Sequence, residues 1–161
     1  MATAGPAGAQ GTDADVRLMD QVGRCHATVH GAPREALAMA TKLLDMPALP
    51  PVVEIGAEGC RGFARQLLGQ GDASLESAAR VQALLRTTEL PAIEHSRAIQ
   101  MAATLLQRNG QTAEGLKLLE SMLERGIAEG DVGSQITALS GIALIRAEQM
   151  DDPEGALHYQ Q

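Results

Sequence analysis

The sequence predicts an all-α fold made of antiparallel helix-pair repeats, about four pairs with the last incomplete. Three observations carry this expectation. The first is the residue alphabet. Hydrophobic residues make up 45% of the chain and aromatics 1%, so a core must come from Leu, Ala, Ile, Val and Met. Ala and Leu are strong helix formers, and the β-branched and aromatic runs that favour strands are sparse. The second is periodicity. The stretch NGQTAEGLKLLESMLERG, residues 109–126, opens on a Gly turn and then sets Leu116, Leu118, Leu119, Met122 and Leu123 at helical spacing. The third is repetition. The same turn-then-helix string recurs from Pro33, Asp72 and Asp152. Aligned on the small residue before the first leucine, the copies read Ala36, Ser74, Gly115 and Ala156, at intervals of 38, 41 and 41 residues. Leu37, Leu75, Leu116 and Leu157 fill the next column. A fixed period of this size marks a helical repeat array.

Residues 1–12, MATAGPAGAQGT, lack periodicity and read as a disordered leader. The repeat domain takes 13–161, in approximate pairs 13–47, 50–88, 91–130 and 132–161. Thr12 or Asp13 suits the cap of a first helix over 14–30. Pro33 opens its partner, over 33–46, because proline's missing N–H costs nothing at a helix start. MPALPPVV then reads as a loop. In the helix expected over 51–68, Gly56, Gly59 and Gly62 weaken the helix relative to alanine and point to close helix packing. Further helices are expected over 73–86, 92–108, 112–129 and 132–149, and a last one from Pro153. Five residues before each aligned small residue stand Gly31, Gly69, Gly110 and Asp151, types suited to positive φ at a helix C-terminus. The final helix carries no stop signal, so the chain is expected to continue beyond Gln161.

The formal charge of −7 and the pI near 5.0 argue against a nucleic-acid-binding surface and suit a cytoplasmic protein. No apolar run is long enough to span a bilayer, and the N-terminus lacks the pattern of a signal peptide. Cys25 and Cys60 are too few for a disulfide framework. No G-x-G-x-x-G, G-x-x-x-x-G-K-[ST] or G-x-S-x-G string occurs, so no cofactor is expected.

GAPREAL at 31–37 and DDPEGAL at 151–157 place Gly or Asp at a turn and Ala-Leu early in a second helix. Both strings resemble the tetratricopeptide repeat. The small first-helix position of that family falls at Gly62 and Ala103, and at Arg24 and Leu144 in the outer copies. The resemblance implies a TPR-like α-solenoid whose first helices line a concave groove. Repeats longer than the family's usual length resemble the N-terminal sensor arrays of bacterial signalling proteins, diguanylate cyclases among them. LERGIAEGDVGSQITALSGIALIRAEQMDDPEGAL, residues 123–157, resembles those arrays most. The catalytic Gly-Gly-Asp-Glu-Phe motif of such cyclases is absent from this chain.

Candidate chemistry is sparse. His26 and His30 stand at i, i+4 beside Cys25, a spacing two zinc ligands can use. No Glu accompanies them in a zinc-protease arrangement, and the trio reads better as a polar helix edge. Glu94 and His95 are adjacent on a helix and point apart. Cys60, among glycines, reads as a buried small hydrophobe. No catalytic residue and no metal are assigned.

The helix over 92–108 is more informative. Ala98, Ile99, Ala102, Ala103, Leu105 and Leu106 form its apolar side, and Arg97, Gln100, Thr104, Gln107 and Arg108 lie opposite. Equivalent columns add Gln21, Gln66, Glu148 and Gln149. A Gln-rich face offers donors and acceptors to a peptide backbone. The expected ligand-binding groove is therefore Arg97, Gln100, Thr104, Gln107, Arg108, Gln66 and Glu148.

The expected function is a non-enzymatic protein or peptide interaction module, the N-terminal sensory or dimerisation region of a larger bacterial signalling protein. Two alternatives stay open: a free-standing TPR-like adaptor or chaperone, and a small metal- or thiol-dependent enzyme around Cys25, His26 and His30. Homodimerisation through the terminal repeat is a further expectation, since the side carrying Ile136, Leu139, Ala143 and Leu157 is expected to lack a covering helix.

Overall fold

The computed structural model describes residues 13–149. All regular structure among them is helical: α1 Asp13–Thr28, α2 Pro33–Leu44, α3 Pro51–Leu67, α4 Gly71–Thr87, α5 Ala92–Arg108, α6 Thr112–Glu129 and α7 Val132–Gln149. No strand occurs among the described residues. The expected leader and the helix from Pro153, with Asp151, Ala156 and Leu157, lie outside them.

The helix starts follow from local chemistry. Pro33 and Pro51 are first helical residues, where the absent N–H has no partner to lose. Gly69, Gly110 and Gly130 adopt φ of 73°, 81° and 69° and end α3, α5 and α6. After each, a backbone N–H reaches back five residues: Gln70 to the Arg65 carbonyl, Gln111 to Leu106 and Asp131 to Gly126, at 2.8, 2.9 and 2.8 Å. This is the Schellman closure of a helix by a left-handed residue. Gly31 departs from the expected column. It keeps a negative φ, because the Ala32 N–H donates to the Thr28 carbonyl at 2.9 Å and continues the last turn of α1. α4 begins at Gly71, two residues before the expected start at 73.

Each helix packs on the next in the chain, and α1 also packs on α3, α3 on α5 and α5 on α7. Among the described residues, the backbones of α2 and α4, of α4 and α6, and of helices more than two apart do not approach each other closely. α3 therefore touches four neighbours, and its glycines make room for them. A Cβ on Gly56 would come within 2.6 Å of Val22 Cγ1, and one on Gly62 within 2.7 Å of Leu105 Cδ1. One on Gly59 would overlap the Met101 sulfur. The aligned small residues serve the same end: Ala36 and Ser74 are fully buried, and a Cβ on Gly115 would lie 2.9 Å from the Ala103 carbonyl oxygen.

The core runs between the helices as linked apolar clusters. Leu116 is buried with Leu119, Met122, Ala138 and Ile142 where α6 meets α5 and α7. Ile55, Val81, Leu84, Ala98 and Ala102 join α3, α4 and α5. Between α1, α2 and α3 lie Val29, Ala36, Ala40 and Ala64 around a disulfide, Cys25–Cys60. This corrects the sequence expectation for Cys25 and adds to that for Cys60. Cys25 is buried rather than part of a polar edge, and Cys60, buried as expected, is bonded to it. The α1–α3 packing brings their Cα atoms to 6.1 Å, within disulfide reach.

Candidate functional site

Two cavities open between the odd-numbered helices. The first, about 300 Å³, is lined by Ser96, Arg97 and Gln100 of α5 and by Asp131, Ser134 and Thr137 at the start of α7. Its hydroxyls are tied together. The Asp131 carboxylate accepts from the Ser134 N–H at 3.2 Å and from the Ser134 hydroxyl, which caps α7. The Ser134 hydroxyl proton is thus committed, so the Ser96 hydroxyl donates to Ser134 at 2.7 Å. These bonds from Ser134 favour the charged carboxylate and hold the Asp131 pKa below its ordinary value.

The second cavity, about 190 Å³, lies where α1, α3 and α5 meet. Met19, Val52, Ile55, Ala98 and Met101 give it an apolar lining, with Glu94 and Arg97 also on its wall. His26 forms part of the wall and is locked. Its Nε2–H donates to the Gly56 carbonyl at 2.9 Å, and its ring meets Phe63 edge-on, centroids 6.2 Å apart. Burial holds its pKa below the ordinary 6.5, against the smaller opposing effect of the Gly56 bond. Arg97 lines both cavities, is exposed, and pairs with no carboxylate among the described residues.

The expected groove residues divide. Arg97 and Gln100 share the first cavity. Thr104 is half-buried and turns its hydroxyl to the Gln100 carbonyl at 2.8 Å. Arg108 is exposed and lays its guanidinium over the Phe63 ring, 5.6 Å from the centroid. Gln107 is a correction: it is 5% exposed, not on an open polar stripe. The Gln107 backbone lies close to Gly115 of α6, and its amide donates to Glu148 Oε2 of α7 at 3.4 Å. Glu148 itself is exposed, and Gln66 is half-buried in the matching turn of α3.

The other candidates do not assemble. Cys25 is spent in its disulfide, His26 faces Gly56, and His30 is exposed. No group of three His, Cys, Asp or Glu side chains is placed to hold a metal among the described residues. Glu94 and His95 point apart as expected: His95 Nδ1 accepts from Arg125 Nη2 of α6 at 2.7 Å. Burial first, and then the Arg125 charge, lower the His95 pKa. On α7, Ile136 and Leu144 are 60% and 53% exposed, whereas Ala143 is buried, against expectation.

Sequence reasoning missed Asp131, Ser134 and the wall residues Met19 and His26. The cap had a readable signal, since Asp131 and Ser134 have N-cap and N3 spacing. The α1–α3–α5 cavity had none, because it depends on how helices register against each other. No helix among the described residues is long and apolar enough to cross a membrane. No protein-family model matches the chain, and no curated protein or solved structure matches it.

Proposed function

We propose that this chain is a non-enzymatic interaction module: a TPR-like α-solenoid whose odd-numbered helices line a concave groove for an extended peptide. The observation that carries the reading is Arg97, a cation with no carboxylate partner among the described residues, standing between an apolar and a hydroxyl-lined cavity on the same set of helices. The packing supports it. The backbones of successive odd helices approach each other and those of even helices do not, which supports a reading with the odd set on the shorter, inner side of a curved array. The helix starts at Pro33, Gly71 and Thr112 keep the 38- and 41-residue intervals of the sequence repeat. An extended peptide could seat an apolar side chain among Met19, Ile55 and Met101, place a carboxylate or carbonyl at Arg97, and meet Gln100, Ser96 and Thr137 beyond it. In this reading the chain is a cytoplasmic sensory or dimerisation region of a larger bacterial signalling protein, of the kind found in diguanylate cyclases.

The test is selection of displayed random peptides on the immobilised protein, repeated with Arg97→Ala/Gln100→Ala. The expected result is a set of sequences bound by the wild type and lost in the variant, with melting temperature unchanged. Equal retention by both proteins would remove the inner face from consideration. Self-association through α7 is a second reading, favoured by exposed Val132 and Ile136 one turn apart. Sedimentation of wild type against Ile136→Glu distinguishes it, since only a dimer built on α7 dissociates.

A further inference from the structure

We propose that the Cys25–Cys60 bond is a redox latch that sets the shape of the apolar cavity between α1, α3 and α5. The proposal concerns regulation of the groove proposed above and rests on that reading for its biological meaning. The observations are geometric. α1 supplies Met19 and His26 to the cavity wall, and α3 supplies Val52, Ile55 and Gly56. Among the described residues α1 packs on α2 and α3, so its place in that wall depends in part on its grip on α3. The one covalent element of that grip is the disulfide, beside His26 in α1 and one turn from Gly56 in α3. The 2.9 Å contact between His26 and the Gly56 carbonyl is therefore made by the residue next to Cys25 and the residue one turn before Cys60.

Cys25 has a second partner ready. Its sulfur lies 3.3 Å from the Ala36 carbonyl oxygen of α2. A thiol at Cys25 donates there, whereas the disulfide holds Cys25 to α3. The two oxidation states thus tie the same residue to different helices. Both sulfurs are fully buried, so exchange requires α1 to lift from α3, and the motion that admits a reductant is the motion that opens the cavity. The step balances with a dithiol. One thiolate attacks a sulfur of the Cys25–Cys60 bond, which breaks, and the second thiolate resolves the mixed disulfide. Two electrons and two protons pass to Cys25 and Cys60, leaving two thiols and an oxidised dithiol. In a reducing compartment such bonds are usually transient or sensing rather than permanent staples.

Methionine-methyl NMR of the whole chain, before and after dithiothreitol, tests the latch without any ligand. Met39 packs against the disulfide cluster and reports the reduction itself. Met19 and Met101 report the cavity, and Met122, buried between α5, α6 and α7, reports the remote core. The expected result is a shift of Met39, Met19 and Met101 that reverses on reoxidation, with Met122 unmoved and helical content kept. Cys25→Ala/Cys60→Ala should hold Met19 and Met101 near their reduced positions with or without reductant. Movement of Met39 alone overturns the proposal, because the bond is then a staple with no reach into the cavity. Loss of helix or a shifted Met122 overturns it too, because the bond is then a condition of the fold. Free thiols in untreated protein, or a bond that survives dithiothreitol, would overturn it as well. None of these outcomes touches the Arg97→Ala/Gln100→Ala selection, so the groove and the latch stand or fall separately.

Discussion

The two cavities that meet at Arg97 occupy matching places between successive odd helices, yet one is apolar and the other polar. Along the 41-residue interval that separates α3 from α5, Ile55 corresponds to Ser96 and Gly56 to Arg97. Ile55 is buried beside the apolar cavity, and Ser96 is buried in the hydroxyl chain of the polar one. The packing column behaves differently. Gly62 and Ala103 are both small and buried, because α4 presses on the first and α6 on the second. The packing of the helices and the chemistry of the cavities are therefore written at separate positions. Gly62 is held small by the Leu105 and Ser77 side chains and Ala103 by the close approach of Gly115, whereas the cavity positions differ in size and polarity.

The contrast breaks most sharply in the buried column. Ile55→Ala removes a packed side chain from the α3–α4–α5 cluster and should cost about 2–5 kcal/mol, as should Leu116→Ala in the α5–α6–α7 cluster. Ser96→Ala, at the position matching Ile55, should cost only about 1 kcal/mol, the worth of one hydrogen bond. Urea midpoints for the three variants measure this. If Ser96→Ala equals Ile55→Ala, the matching positions beside the two cavities do not differ as their chemistry implies.

Smaller effects sharpen the frame. An alanine at Gly115 meets the backbone carbonyl of Ala103, which cannot step aside, and should destabilise by about 1–3 kcal/mol. An alanine at Gly59 meets the flexible end of Met101, which can swing toward the apolar cavity, so its cost should be offset by up to about 1 kcal/mol of helix propensity. Thermal melts of the pair should rank Gly59→Ala as the milder change. Asp131→Ala removes the cap of α7 and should cost about 1 kcal/mol, with the loss read by amide exchange in the first turn of α7.

Acid supplies the mildest perturbation. The His26 pKa lies below 6.5 in the native protein, so the unfolded chain takes up that proton first. The stability His26 lends is whole above about pH 6.5 and is lost as pH falls through the lower native value. His95 acts in the same direction. Melting temperature should decline on acidification below that point, and His26→Gln should make the decline shallower. A melting curve as steep in the variant as in the wild type would mean that the apolar cavity does not disfavour the imidazolium.

Helix boundaries were legible because they rest on local chemistry. Pro33 and Pro51 mark starts, Gly69 and Gly110 mark left-handed ends, and the 38- and 41-residue spacing survives in the helix starts. The small column at Ala36, Ser74 and Gly115 was legible for the same reason. What failed depended on register between helices. Gln107 looks like its polar neighbours on a helical wheel, but α6 and α7 close over it. The Cys25–Cys60 bond spans 35 residues, and no spacing rule foretells that α1 and α3 align those two turns. Leu144, 41 residues after the buried Ala103, is exposed, and spacing alone does not foretell that difference.

Because helices more than two apart do not approach each other closely along their backbones among the described residues, the order of synthesis is also an order of assembly. Among the described residues, both helices that α1 packs on are present once Leu67 has left the ribosome, and all four that α3 packs on once Arg108 has. Nothing early in the chain must wait for a strand or helix made much later, so the loop-closure entropy that slows non-local folds is never large here. Apolar surface on each new helix is covered within about two further helices, which shortens the interval in which a nascent chain can stick to its neighbours on the same message.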